Sequence, residues 1–128
     1  MFQNILISIN PARNEEELVI NTTVSIAETY KSTVKLIYLS ISAVYNTEME
    51  NFVKIFTDNR IKADYDFLEF SGNDEEIPVV IADYSKDFDL IIMGHRKFEK
   101  IYRFLHQSTA ADLINLVDIP VMVIPDKK

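Results

Sequence analysis

The chain has no cysteine and no tryptophan, and only two glycines and four prolines in 128 residues. It also has no apolar run near the ~20 residues that span a bilayer. Each scarcity excludes something. Without cysteine there is no disulfide, no thiol nucleophile and no thiolate metal ligand. Two glycines, Gly72 and Gly94, cannot build a Walker-type phosphate loop or a Gly-x-Ser-x-Gly elbow. Positive charge is short as well. Thirteen Lys and Arg stand against 20 Asp and Glu, a net −7, so the surface as a whole repels nucleic acid and anionic bilayers. The opening MFQNILISIN lacks a basic n-region and turns polar within ten residues, unlike a signal peptide, and a cytoplasmic domain is the expected setting. What is present suffices for a core. An apolar content of 48% with 11% aromatics argues against disorder, and the length fits one domain over residues 1–128.

Hydrophobic period alternates along the chain. Ile5 to Ile9 is a near-continuous apolar run stopped by Asn10-Pro11, as expected of a parallel strand buried on both faces. Residues 14–31 change to a helical stripe of Val19, Thr23, Ile26, Ala27 and Tyr30, with Glu15, Glu16 and Glu17 in the first turn. Val34–Ile41 predicts the second strand. Thr47-Glu48-Met49-Glu50 has the form of a capping box, and Met49, Phe52, Val53 and Phe56 carry that helix to about Asp58. Asp64–Phe70 reads as a third strand whose acids suit a sheet edge. Ile77, Val80, Ile81 and Tyr84 mark a helix over about Glu75–Ser85, with Pro78 confusing its start. Asp89–Met93 is the fourth strand, broken by Gly94. Ala110, Leu113, Ile114 and Val117 mark the last helix, and Val121–Ile124 the last strand. A β-α-β-α-β-α-β-α-β order implies an α/β domain, a mostly parallel sheet with helices on both faces.

Between the fourth strand and the last helix lies a basic stretch. Residues 95–106 hold Arg96, Lys97, Lys100 and Arg103 against Glu99, a net +3 that leaves −10 for the rest. A strand, a glycine, cations and then Ser108-Thr109 opening a helix is one way α/β proteins build an anion pocket. Arg96, Lys97, Lys100 and Arg103 are thus candidates for a small anion or an acidic protein partner, with a plain solvated face as the alternative. Ser108 and Thr109 have a second explanation too, since Thr109-Ala110-Ala111-Asp112 has capping-box form. His95 and His106 stand without carboxylates at metal-ligand spacing, so no metal site is expected. Catalysis has little support. Asn10 is an amide and cannot serve as a general base. A phosphorelay receiver would need clustered aspartates at its strand ends, and Asn10 stands where one would fall. A flavodoxin-like carrier would need a hydroxyl- and glycine-rich loop where Pro11-Ala12-Arg13-Asn14 stands.

Asn4-Ile5-Leu6-Ile7-Ser8-Ile9-Asn10, Asp89-Leu90-Ile91-Ile92-Met93-Gly94-His95-Arg96 and Ile119-Pro120-Val121-Met122-Val123-Ile124-Pro125 resemble the first strand, the fourth strand with its ligand loop, and the closing strand of the universal stress protein family. The resemblance implies a five-stranded sheet in the order 3-2-1-4-5 and, commonly, a homodimer. In members that bind ATP, an aspartate ends strand one. The loop after strand four there runs glycine, two residues, glycine, nine residues, glycine and then a hydroxyl. Here Gly94 keeps the first glycine and Ser108 the hydroxyl, whereas Lys97, Gln107 and Asn10 replace the other two glycines and the aspartate. These departures resemble the A-type branch, generally thought not to bind nucleotide. They imply a non-catalytic stress-response protein without ATP. The alternative is a nucleotide-binding regulator with a degenerate pocket of Asn10, Leu39, Gly94, Arg96, Lys97, Gln107, Ser108 and Thr109. In the 3-2-1-4-5 order the uniformly apolar Val121, Met122, Val123 and Ile124 form a sheet edge, which predicts a homodimer through the closing strand. Pro120 and Pro125, by blunting that edge, supply the alternative.

Overall fold

The computed structural model describes residues 2–11, 16–95 and 109–125. Five strands, β1 (Asn4–Ser8), β2 (Thr33–Ser40), β3 (Ala63–Glu69), β4 (Leu90–His95) and β5 (Val121–Pro125), form one sheet in the order β3-β2-β1-β4-β5. Every pairing is parallel, with Ile7 beside Leu36 on one side and Ile92 on the other. The described helices are α1 (Glu17–Tyr30), α2 (Asn46–Asp58), α3 (Ile77–Tyr84) and α4 (Thr109–Ile114). Alternate strand residues feed two cores. Ile5, Ile7, Leu36, Tyr38, Leu90 and Ile92 meet Val19, Ile20, Ala27, Met49 and Phe56 of α1 and α2. Leu6, Ile37, Ile91 and Met93 meet Ile81 of α3 and Leu113 of α4 on the opposite face. Ile5, Leu6 and Ile7 are all fully buried, which is why the central strand reads as an unbroken apolar run.

Several local expectations are corrected. The capping box at Thr47–Glu50 does not form: the N-cap is Tyr45 and α2 begins at Asn46, two residues before the box would start it, so the Thr47 hydroxyl lies inside the first turn rather than at the cap. Asn46 instead accepts the Tyr38 hydroxyl at 3.1 Å, and the Tyr45 ring meets Tyr38 edge-on at 6.2 Å. Ile41 lies beyond β2 and is 66% exposed. Helix α3 is entered through a 3-10 turn at Asp74–Glu76, which places Pro78 in the first helical turn where its missing N–H costs nothing. Ile114 does not join the buried stripe of α4, being 56% exposed, whereas Leu113 is fully buried. Gly94 does not break β4. It lies within the strand beside Ile124, and His95 pairs with Pro125.

The strand ends are held by side chains. Asp89, just before β4, accepts the Gln3 N–H at 2.8 Å and the Asn4 N–H at 3.0 Å, clasping the start of β1. On the outer strand β3, Asp64 pairs with Lys35 at 2.7 Å, and Asp66 accepts the hydroxyl of Tyr84. None of the described helices is long and apolar enough to cross a membrane.

Candidate functional site

In the order β3-β2-β1-β4-β5 the chain reverses its direction of travel across the sheet between β1 and β4. The carboxyl ends of the strands at such a reversal are the usual ligand position of open α/β sheets. Asn10 follows β1, and Gly94 lies near the end of β4. Leu39 is near the end of β2, the strand on the other side of β1, where it is half-buried against the core of α3 and α4. Topology therefore brings Asn10, Leu39 and Gly94 to one end of three adjacent strands. Thr109 opens α4, but its side chain, like that of His95, lies outside the described residues. So do Arg96, Lys97, Lys100, Arg103, His106, Gln107 and Ser108, and with them the whole basic stretch between β4 and α4.

The residue that the sequence did not single out is Glu16. It is the N-cap of α1, without a side-chain cap hydrogen bond. It is only 4% exposed, and its Oε1 accepts the backbone N–H of Asn10 at 3.3 Å. Its other oxygen, Oε2, lies 3.3 Å from where a Cβ on Gly94 would stand, and Val19 Cγ2 is equally close to that point. Gly94 has no positive φ. Its lack of a side chain therefore provides room for Glu16 and Val19, rather than the turn that the sequence led one to expect. The signal was available. Glu16 precedes Val19, Ile20 and Thr23 by three, four and seven residues, which places it on the buried stripe of α1.

Outward from Glu16, the loop and the two helices on this face frame a cleft of about 430 Å³. Pro11, Ile20, Phe52 and Ile55 supply its apolar wall, and Glu16, Glu17, Glu48 and Asn21 its polar one. Among the described residues the charged ones lining it, Glu16, Glu17 and Glu48, are all acids, each near a helix N-terminus whose partial positive charge it offsets. Among the described residues no group of three His, Asp or Glu could hold a metal ion.

A parallel sheet in this order, with its switch point between β1 and β4, defines a doubly wound α/β protein. The universal stress protein family profile matches residues 1–125, and the chain belongs to that family. Comparison with curated proteins finds no match. Similar solved structures include a universal stress protein in complex with cAMP, with a TM-score of 0.78, 12% identity, and coverage of 98% of each chain. The universal stress protein from Archaeoglobus fulgidus in complex with dAMP has a TM-score of 0.71 and 17% identity, over 96% of this chain and 98% of that one. A family member from Arabidopsis thaliana with AMP bound has a TM-score of 0.73 and 13% identity, over 98% and 92%. The five-stranded order expected from the resemblance is the one found.

Proposed function

We propose that this chain is a non-catalytic stress-response protein of the cytoplasm that works as a homodimer through β5 and holds no resident ATP. The observation that carries this reading is the outer edge of β5. Among the described residues β5 pairs only with β4, so its other side offers a row of unpartnered backbone donors and acceptors. Val121, Met122 and Val123 are half-buried there, and the edge carries no charged residue of its own. A two-fold axis beside such a strand lets it meet its mate antiparallel and satisfies both edges at once. The absence of turnover is supported by Asn10 at the end of β1, an amide that cannot serve as a general base.

The second reading, a nucleotide-binding regulator, is favoured by similarity to the cAMP, dAMP and AMP complexes. It would use Asn10, Leu39, Gly94, Arg96, Lys97, Gln107, Ser108 and Thr109. Titration calorimetry with Mg-ATP decides between them. The expected outcome is no measurable heat or a dissociation constant well above the low micromolar range, and a low-micromolar constant overturns the ATP-free reading. Native mass spectrometry of gently purified protein reports subunit number and any retained nucleotide together. A bare dimer is expected.

A further inference from the structure

We propose that Glu16 determines the specificity of the β1/β4 crevice: its carboxylate occupies the place as a resident anion and denies it to phosphate. This rests on the reading above that the crevice holds no ATP, and supplies its cause in one side chain. Three independent features converge on it. First, Glu16 is 4% exposed although it begins a helix, a position where a carboxylate could stay in water at no cost. Second, the backbone N–H of Asn10, just beyond β1, is given to Glu16 Oε1 at 3.3 Å. Third, Glu16 Oε2 lies close to the one β4 position without a side chain, so the opening left by Gly94 is filled from α1.

A strand end, a glycine and a helix N-terminus together are attractive to an oxyanion. Here an oxyanion is supplied by the chain. A phosphate entering beside Glu16 would have to compete with its carboxylate for the Asn10 N–H and for the space at Gly94. Displacing Glu16 would cost its hydrogen bond from Asn10. The resulting selectivity is against anions, whatever the base or sugar attached to them.

The test is Glu16→Gln, which removes the charge and keeps an oxygen for the Asn10 N–H. AMP and inorganic phosphate are the probes, read by calorimetry and by the amide NMR shifts of Asn10 and Gly94. The wild type should show no shift of those amides at millimolar AMP. Glu16→Gln should bind AMP at least about tenfold more tightly, with both amides moving. Glu17→Gln, which removes a neighbouring exposed charge, should leave affinity at the wild-type level. Glu16→Ala offers the same loss of charge with more room and, if folded by circular dichroism, should show the same gain. The proposal is overturned if the charge-free variants fold yet bind no better, or if Glu17→Gln gains as much as Glu16→Gln. AMP moving the Asn10 and Gly94 amides of the wild type also overturns it, whichever variants fold. The two readings fail separately. Wild-type ATP binding that leaves those amides still sinks only the ATP-free function, and silence of every variant sinks only the role of Glu16.

Discussion

Arg60 shows how much single positions carry in a chain with two glycines. Helix α2 ends in a Schellman turn: Arg60 N–H donates to the Thr57 carbonyl and Ile61 N–H to that of Phe56, both at 3.0 Å. Ile61 and Phe56 are buried together in the same core. The turn requires a left-handed residue, and Arg60 takes φ 62°, where glycine would be at ease. Lys31 closes α1 in the same way at φ 55°. Replacing Arg60, which is exposed, with glycine should raise stability by about 0.5 kcal/mol, the relief of the left-handed strain less the greater freedom of an unfolded glycine. Urea unfolding measures it, and a lower midpoint would show that the Arg60 side chain contributes more than its backbone costs. Gly94 is the opposite case. It is a glycine kept for space and not for angle, and a sequence alone does not distinguish the two uses.

Among the elements, β3 and α3 are joined by a contact with a consequence at high pH. The Tyr84 hydroxyl donates to Asp66, and the Tyr84 ring stacks on Phe88 at 5.9 Å. Burial first, then the hydrogen bond to Asp66 and the charges of Asp66 and Asp64, push the Tyr84 hydroxyl well above its ordinary value of 10.0. A raised folded value means that the folded state holds this proton more tightly than the unfolded chain. The contribution is whole below about pH 10 and is lost as pH climbs above it. Tyr84→Phe should therefore be less stable than wild type at pH 8, by about 1 kcal/mol for the lost hydrogen bond. The gap should narrow as pH rises above 10, measured by urea unfolding across that range. A constant gap would mean that the hydroxyl does not report on Asp66. Element order, strand identity and helix stripes were legible in the sequence because burial on one face or two imposes a period. Ile5–Ile9 lacks alternation because helices cover both faces of β1, and Asp64 and Asp66 are tolerated because β3 is an edge. Boundaries were less legible. The Thr47–Glu50 box fits a cap, but packing of Tyr45 and Asn46 against Tyr38 starts the helix sooner. The site was half legible: Asn10 and Gly94 were expected at one place, whereas Glu16 was read only as one of three first-turn acids although it shares the stripe of Val19 and Thr23.

At the scale of the molecule, the two sheet edges differ. The β3 edge carries Asp64, Asp66 and Glu69, and the β5 edge carries only apolar residues and prolines. Val123→Lys places one charge in the middle of the apolar edge, on a stem long enough to reach water. On the proposed β5 interface it should yield a soluble monomer, weakening association by about 2 kcal/mol or more, with some loss of thermal stability because Val123 also packs against the core of α3 and α4. Light scattering checks it, and a variant that stays dimeric would locate the interface elsewhere. The central position of β1 has a consequence in time. Ile5 pairs with Val34, which is made soon after it, and with Leu90, which is made 85 residues later. Asp89, whose carboxylate holds the first two strand amides, comes off the ribosome just as late. At a synthesis rate of about 5–20 residues per second, the central strand, with Ile5, Leu6 and Ile7 destined for full burial, waits ~4–17 s with one side open. The earliest-made strand of the sheet is thus among the last to be completed, and the growing chain spends that interval as a client for whatever shields an unfinished sheet.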